Sequence, residues 1–231
     1  MSDEVSNIKL IQQILKGRRE FYLTLAGLYF KPLTQEQIEN MAQTDYTAFG
    51  AGEPLLEAGF NDITRFLRKR HSGTRQMLAT DFTGSFGGTT PLGGKVAVPY
   101  ASVFLSAEGL LNQRPRSEVL GIYKRAQLRV TDRSTPDDHL SFELEFLSVL
   151  SDRTVTAVEK GAYAEALEQL ELSRDFIKEQ ILSWFPAFSQ LAAQIVTTRF
   201  YRGVLRVTEG YLKLDQEVLD DLIEEVAALE R

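Results

Sequence analysis

The sequence predicts an all-α protein, a single globular domain of about ten helices, and three observations carry that prediction. Strand signals are nearly absent: only residues 96–100 have a β-like flavour, and Pro99 inside them lacks the N–H that a sheet ladder needs. Apolar residues recur almost everywhere else at spacings of three, four and seven. Helix starts and stops are punctuated by capping residues, first-turn prolines and glycines.

The first helix runs over about residues 7–30, with Ile8, Ile11, Leu15, Tyr22, Leu25 and Tyr29 on one stripe, and Lys31-Pro32 ends it. Thr34 followed by Gln37 is a capping-box pattern that opens a second helix, and Pro54 in a first turn opens a third through residue 70. Another helix follows Gly73. The glycine-rich stretch 84–94 is the main interior loop, after which 100–107 and 117–128 resume helical patterning. Thr135-Pro136-Asp137-Asp138 combines a cap, a first-turn proline and two acids, and so predicts a helix start. The helix behind it is apolar on most faces through Leu140, Phe142, Leu144, Phe146, Leu147, Val149 and Leu150, as a central helix would be. Four more helices are expected over about 162–184, 186–197, 200–213 and 216–230, the last capped by Asp215. Two lobes, about 1–130 and 136–231, would meet near 131–137.

Composition narrows the function. The chain has 231 residues, 43% hydrophobic and 25% charged, enough for a sizeable core. It has no cysteine, which removes disulfides, thiolate metal sites and a cysteine nucleophile and suits a reducing compartment. The first residues carry acids where an export signal needs positive charge. The longest uncharged run, 180–198, contains Pro186 and several glutamines, so it reads as a helical corner rather than a membrane span. A net charge of −6 argues against nucleic acid or an anionic membrane as partner and favours a basic one. The cluster Arg65, Arg68, Lys69, Arg70 and His71 reads as a solvated helix end.

Two constellations could carry chemistry. Gly94-Lys95 sits in a Gly/Thr-rich stretch, yet a phosphate loop needs a glycine where Thr89 stands and a hydroxyl where Val96 stands. Asp138, His139 and Glu143 form the most distinctive polar group, the last two sharing a helix face. They fit a capped helix with an exposed charged pair, or acids at the lip of an apolar groove that pair with arginines of a peptide. A metal or nucleotide hydrolase using the three is an alternative, but the other histidine, His71, is remote. A helical regulator or scaffold is another. The aromatics of residues 184–188 and 200–202 read as core packing at helix corners or as groove lining.

Four segments together resemble the TorD/DmsD family of redox-enzyme maturation chaperones. Asp81-Phe82-Thr83, the glycine loop and Val98-Pro99-Tyr100-Ala101-Ser102-Val103-Phe104-Leu105 are similar to that family's DF-loop-PPYESVYL stretch. Residues 136–147 resemble its Asp-His hinge motif, Leu182-Ser183-Trp184-Phe185-Pro186-Ala187-Phe188 its L-x-W-x-P-x-F corner, and Phe200-Tyr201-Arg202 its F-Y-R helix start. Ala101, Val98 and Arg199 depart from the pattern, and Ala101 removes an acid.

The resemblance implies a non-enzymatic, cytoplasmic chaperone that binds a molybdopterin oxidoreductase catalytic subunit, or its twin-arginine leader, until the cofactor is inserted. It implies a client site at Asp138, His139, Glu143, Pro136, Tyr100, Ser102, Trp184, Phe200, Tyr201 and Arg202. No cofactor is expected beyond the weak guanine-nucleotide binding that the resemblance suggests. No nucleic acid and no stable membrane insertion are expected, and the chain would be a monomer or a homodimer.

Overall fold

The computed structural model describes residues 2–46, 49–50, 52–93 and 96–230, with side chains from Ser6 onward. Gly94-Lys95, the phosphate-loop candidate, lies outside the described residues. Ten α-helices make up the described chain: α1 Ser2–Phe30, α2 Gln35–Gln43, α3 Pro54–Leu67, α4 Thr74–Ser85, α5 Ala101–Leu105, α6 Arg114–Arg125, α7 Leu140–Glu159, α8 Tyr163–Phe176, α9 Phe185–Ile195 and α10 Arg199–Leu229. Among the described residues there is no β-strand; Tyr100 and His139 form an isolated antiparallel bridge.

Helix α7 is central, as its apolar faces require: it packs on α1 and α8, while α10 packs on α3 and α8. The capping box of Thr34 and Gln37 forms as expected, each side chain satisfying the other's backbone N–H. Glycine lets α3 and α10 approach backbone to backbone. A Cβ on Gly203 would lie 2.7 Å from the Gly59 carbonyl oxygen, and one on Gly59 would lie 2.6 Å from Val207 Cγ2.

Three boundaries depart from expectation. Arg199–Leu229 form one helix of 31 residues, not two, and Asp215 does not cap. Its carboxylate is only 1% exposed and is taken by α1: Arg18 donates to both oxygens at 2.7 and 2.8 Å, and the Tyr22 hydroxyl donates at 2.5 Å. With its acceptors spent on side chains, Asp215 leaves the helix backbone uninterrupted. The helix expected to end at 184 instead passes from α8 into a π-helical turn at Ile177–Ile181, which widens the backbone before Trp184. The central helix begins at Leu140, four residues after Pro136, because the residues before it are bonded elsewhere.

No described helix is long and apolar enough to cross a membrane.

Candidate functional site

The residues ahead of α7 are occupied by the segment ahead of α5. Leu140 N–H donates to the Pro99 carbonyl at 2.9 Å, and Ala101 N–H to the Asp138 carbonyl at 3.1 Å. The Asp138 carboxylate accepts from Ser102 N–H at 2.8 Å, in the first turn of α5. Asp138, predicted to serve its own helix, therefore satisfies an otherwise orphaned donor of another. The two proline-containing motifs, 98–105 and 136–147, are thus one cross-tied unit. Arg116 of α6 adds an ion pair to Asp137 at 2.9 Å, and the Pro136 carbonyl accepts from His139 N–H at 3.2 Å.

His139 is the N-cap of α7, its Nδ1 accepting from Ser141 N–H at 3.2 Å, which leaves the proton on Nε2. Its ring stands edge-on to Tyr100 at 4.8 Å and to Phe30 at 6.2 Å, with Phe142 at 5.9 Å. Burial in this aromatic box lowers its pKa from 6.5 to about 4, so the ring is neutral at physiological pH.

Glu143 faces the opposite way, into the core, and is fully buried. Neither of its carboxyl oxygens has a hydrogen-bond partner, nor do Asp138 Oδ1, the Tyr123 hydroxyl or Trp184 Nε1. Burial, and after it the charge on Asp138, pushes the Glu143 carboxyl well above its ordinary range. The Trp184 indole N–H opposes that shift but stops short of a full hydrogen bond. Burial therefore favours the neutral acid form of Glu143 in the folded chain.

This burial has a consequence for stability. The folded chain keeps the Glu143 proton to higher pH than the unfolded chain does. The stabilisation is therefore complete below about 4.5 and is lost as pH rises through the folded-state value. Glu143→Gln, which cannot ionise, is expected to match the wild type in thermal melts near pH ~5 and to exceed it near pH ~8. Parallel melting curves for the two proteins across that range would contradict the assignment.

The site residues named from the sequence divide into two groups. Pro136, Asp138, His139, Glu143, Tyr100, Ser102 and Trp184 are brought together around the α5–α7 cross-tie. Phe200 and Tyr201 are fully buried beside Phe66, Phe82 and Phe86, where they build core, and Arg202 points outward with one N–H on the Val196 carbonyl. The expectation that Asp138, His139 and Glu143 face outward is corrected by burial: they are 0%, 6% and 0% exposed. Among the described residues, no group of three or more His, Asp or Glu is arranged to hold a metal.

What the sequence reading missed is the surface in front of the cross-tie. A cavity of about 310 Å³ opens between α1, α6, α7 and residues 128–132. Its walls include Phe30, Phe142, Phe146, Val130 and Val149, and its charged lining residues are Arg129, Asp132 and Glu145. Phe30 (41% exposed) and Phe142 are the same rings that box His139. Asp132 accepts from the Ser134 hydroxyl and N–H at 2.6 and 2.7 Å; these bonds hold its carboxylate below the usual range and keep it charged.

The comparisons decide what kind of protein carries this arrangement. The family model described as nitrate reductase delta subunit matches residues 53–190. A chaperone protein TorD of Vibrio vulnificus is 31% identical over 217 residues, covering 90% of this chain and 97% of that one. The chain belongs to the TorD chaperone family. A chaperone protein TorD of Vibrio cholerae is 28% identical over 214 residues, covering 90% of this chain and 94% of its own. A crystal structure described as that of a redox enzyme maturation protein from Archaeoglobus fulgidus covers 88% of this chain and 93% of its own, at 19% identity and a TM-score of 0.45. The TorD relatives are named as chaperones, a non-catalytic role that agrees with the reading of this chain as no enzyme.

Proposed function

We propose that this TorD-family chain is a cytoplasmic chaperone for a molybdopterin oxidoreductase catalytic subunit, holding its twin-arginine leader, or its apo form, until the cofactor is inserted. The observation that carries the reading is the apolar cavity against Phe30, Phe142 and Phe146 with Asp132 and Glu145 on its lining. A leader presents an arginine pair followed by an apolar stretch. Carboxylates pair bidentately with guanidinium groups, and an aromatic-walled groove takes the apolar side chains. In this reading Asp138 and His139 act from behind. Asp138 ties α5 to the start of α7, and the neutral His139 ring supports Phe30 and Phe142 from inside. Residues 131–137 would be the hinge between the lobes, and monomers or homodimers would both present the groove.

Calorimetry with a synthetic twin-arginine leader tests this. Asp132→Lys together with Glu145→Lys is expected to weaken binding by roughly tenfold or more, with a smaller salt dependence than the wild type. Glu145 is exposed and Asp132 is half-buried in the segment ahead of α7, outside the helices, so the fold should survive. Unchanged affinity in the double variant would place the client elsewhere, and no leader or catalytic subunit bound by the wild type would overturn the function.

A further inference from the structure

The chain carries a second concave surface, of opposite electrical sign to the molecule as a whole. A cavity of about 570 Å³ lies where the end of α3, the start of α4 and the start of α10 meet. Arg65, Arg68, Lys69 and Arg199 line it together with His71 and Thr74, over a floor that includes Phe66 and Met77; no acidic residue is among its lining. Arg65, Arg68 and Lys69 are exposed, and among the described residues no carboxylate lies within ion-pair distance of them. Their neighbours are paired: Arg70 with Glu39 at 2.9 Å, and Arg199 with Asp62 at 3.6 Å. In a chain of 32 acids and 26 lysines and arginines, three cations with no ion-pair partner among the described residues around one hollow are a local reversal of the field.

We propose that this hollow docks an acidic segment of a partner protein, at a site separate from the apolar groove beside Phe142. The chemistry favours that occupant. Guanidinium groups fork onto carboxylates, and the cations stand on long, solvated stems that can follow an extended chain. Phe66 and the half-exposed Met77 offer apolar contact to a side chain between the acids. A bilayer is disfavoured because the patch is concave and the rest of the molecule, at −6, would be repelled by anionic lipid. Nucleic acid is disfavoured by the same net charge and by the small footprint. The helix-end cluster is thus solvated, as its sequence suggests, but poised for an anionic partner.

Fluorescence anisotropy with a labelled peptide of repeated Glu-Glu-Leu triplets tests the proposal. The wild type is expected to bind at about 0.05 M salt and to lose roughly tenfold in affinity by about 0.3 M. Arg65→Glu, Arg68→Glu and Lys69→Glu together should abolish binding. Glutamine at the same three positions should weaken it by roughly tenfold, so the conclusion does not depend on the reversed variant folding. Reversing Lys16 and Lys213, on distant faces, should change nothing, and circular dichroism and leader binding should be normal in the glutamine variant. No binding by the wild type, salt-insensitive binding, equal binding by the glutamine variant, or preference for phosphatidylglycerol vesicles or single-stranded DNA over the peptide would each overturn the proposal.

Discussion

Asp215→Ala is expected to remove about 3–5 kcal/mol of folding stability, because it breaks a buried ion pair from one side. Arg18 and Asp215 are 3% and 1% exposed, and the pair is bidentate. Arg18 Nη1 donates to Ser151 Oγ at 3.0 Å, so the network joins α1, α7 and α10. Burial penalises the guanidinium, but Asp215 more than offsets it and raises its pKa. Removing the carboxylate strands a buried cation and also frees the Tyr22 hydroxyl. Urea denaturation measures the loss. Replacing both partners, Arg18→Met with Asp215→Leu, should recover most of it, because no unpaired charge is then left inside. A single variant within about 1 kcal/mol of the wild type would show that the network carries little.

Asp81→Ala is expected to cost about 3 kcal/mol, for a different reason. Asp81, on α4, accepts from Thr197 N–H and Thr198 N–H at 2.8 Å each and from the Thr198 hydroxyl at 2.6 Å. Thr198 is the N-cap of α10, its hydroxyl oxygen accepting from Tyr201 N–H, so one buried carboxylate fixes the entry to the longest helix. Hydrogen bonds to an ionised group contribute about 1.5–3 kcal/mol each and are not additive. Asp81→Asn, which can keep acceptor geometry on one side only, should fall between the alanine variant and the wild type. Denaturation midpoints indistinguishable among the three would contradict the clamp.

How much of this was legible in the sequence follows from where each signal resides. Helix content, the centrality of α7 and the capping box at Thr34 are local in origin, written in spacings of three and four and in caps. The single long α10 was not legible, since an Asp followed by Gln and Glu signals a cap unless Arg18, almost two hundred positions away, claims its oxygens. The same holds at Asp138. The Thr-Pro-Asp-Asp pattern promises a helix start, but only the fold shows that Ser102 N–H takes the carboxylate and postpones the helix to Leu140. Resemblance found the right motifs and, through them, the family. It did not show that Asp138 and Glu143 point inward, because the 3.6-residue period places His139 and Glu143 on one face only if both lie in the helix, and His139 is the cap. The cavity in front of them draws on α1, α6, α7 and residues 128–132, a combination that no local pattern contains.

The measurement that bears most directly on the proposed client groove is site-specific photo-crosslinking to a twin-arginine leader. A photoreactive phenylalanine analogue at Phe30, on the mouth of the groove, is compared with the same analogue at Leu10, exposed on α1. The groove reading predicts leader adducts from position 30, competed away by unlabelled leader, and none from position 10. Adducts of equal yield at both positions, or at position 10 alone, would contradict it.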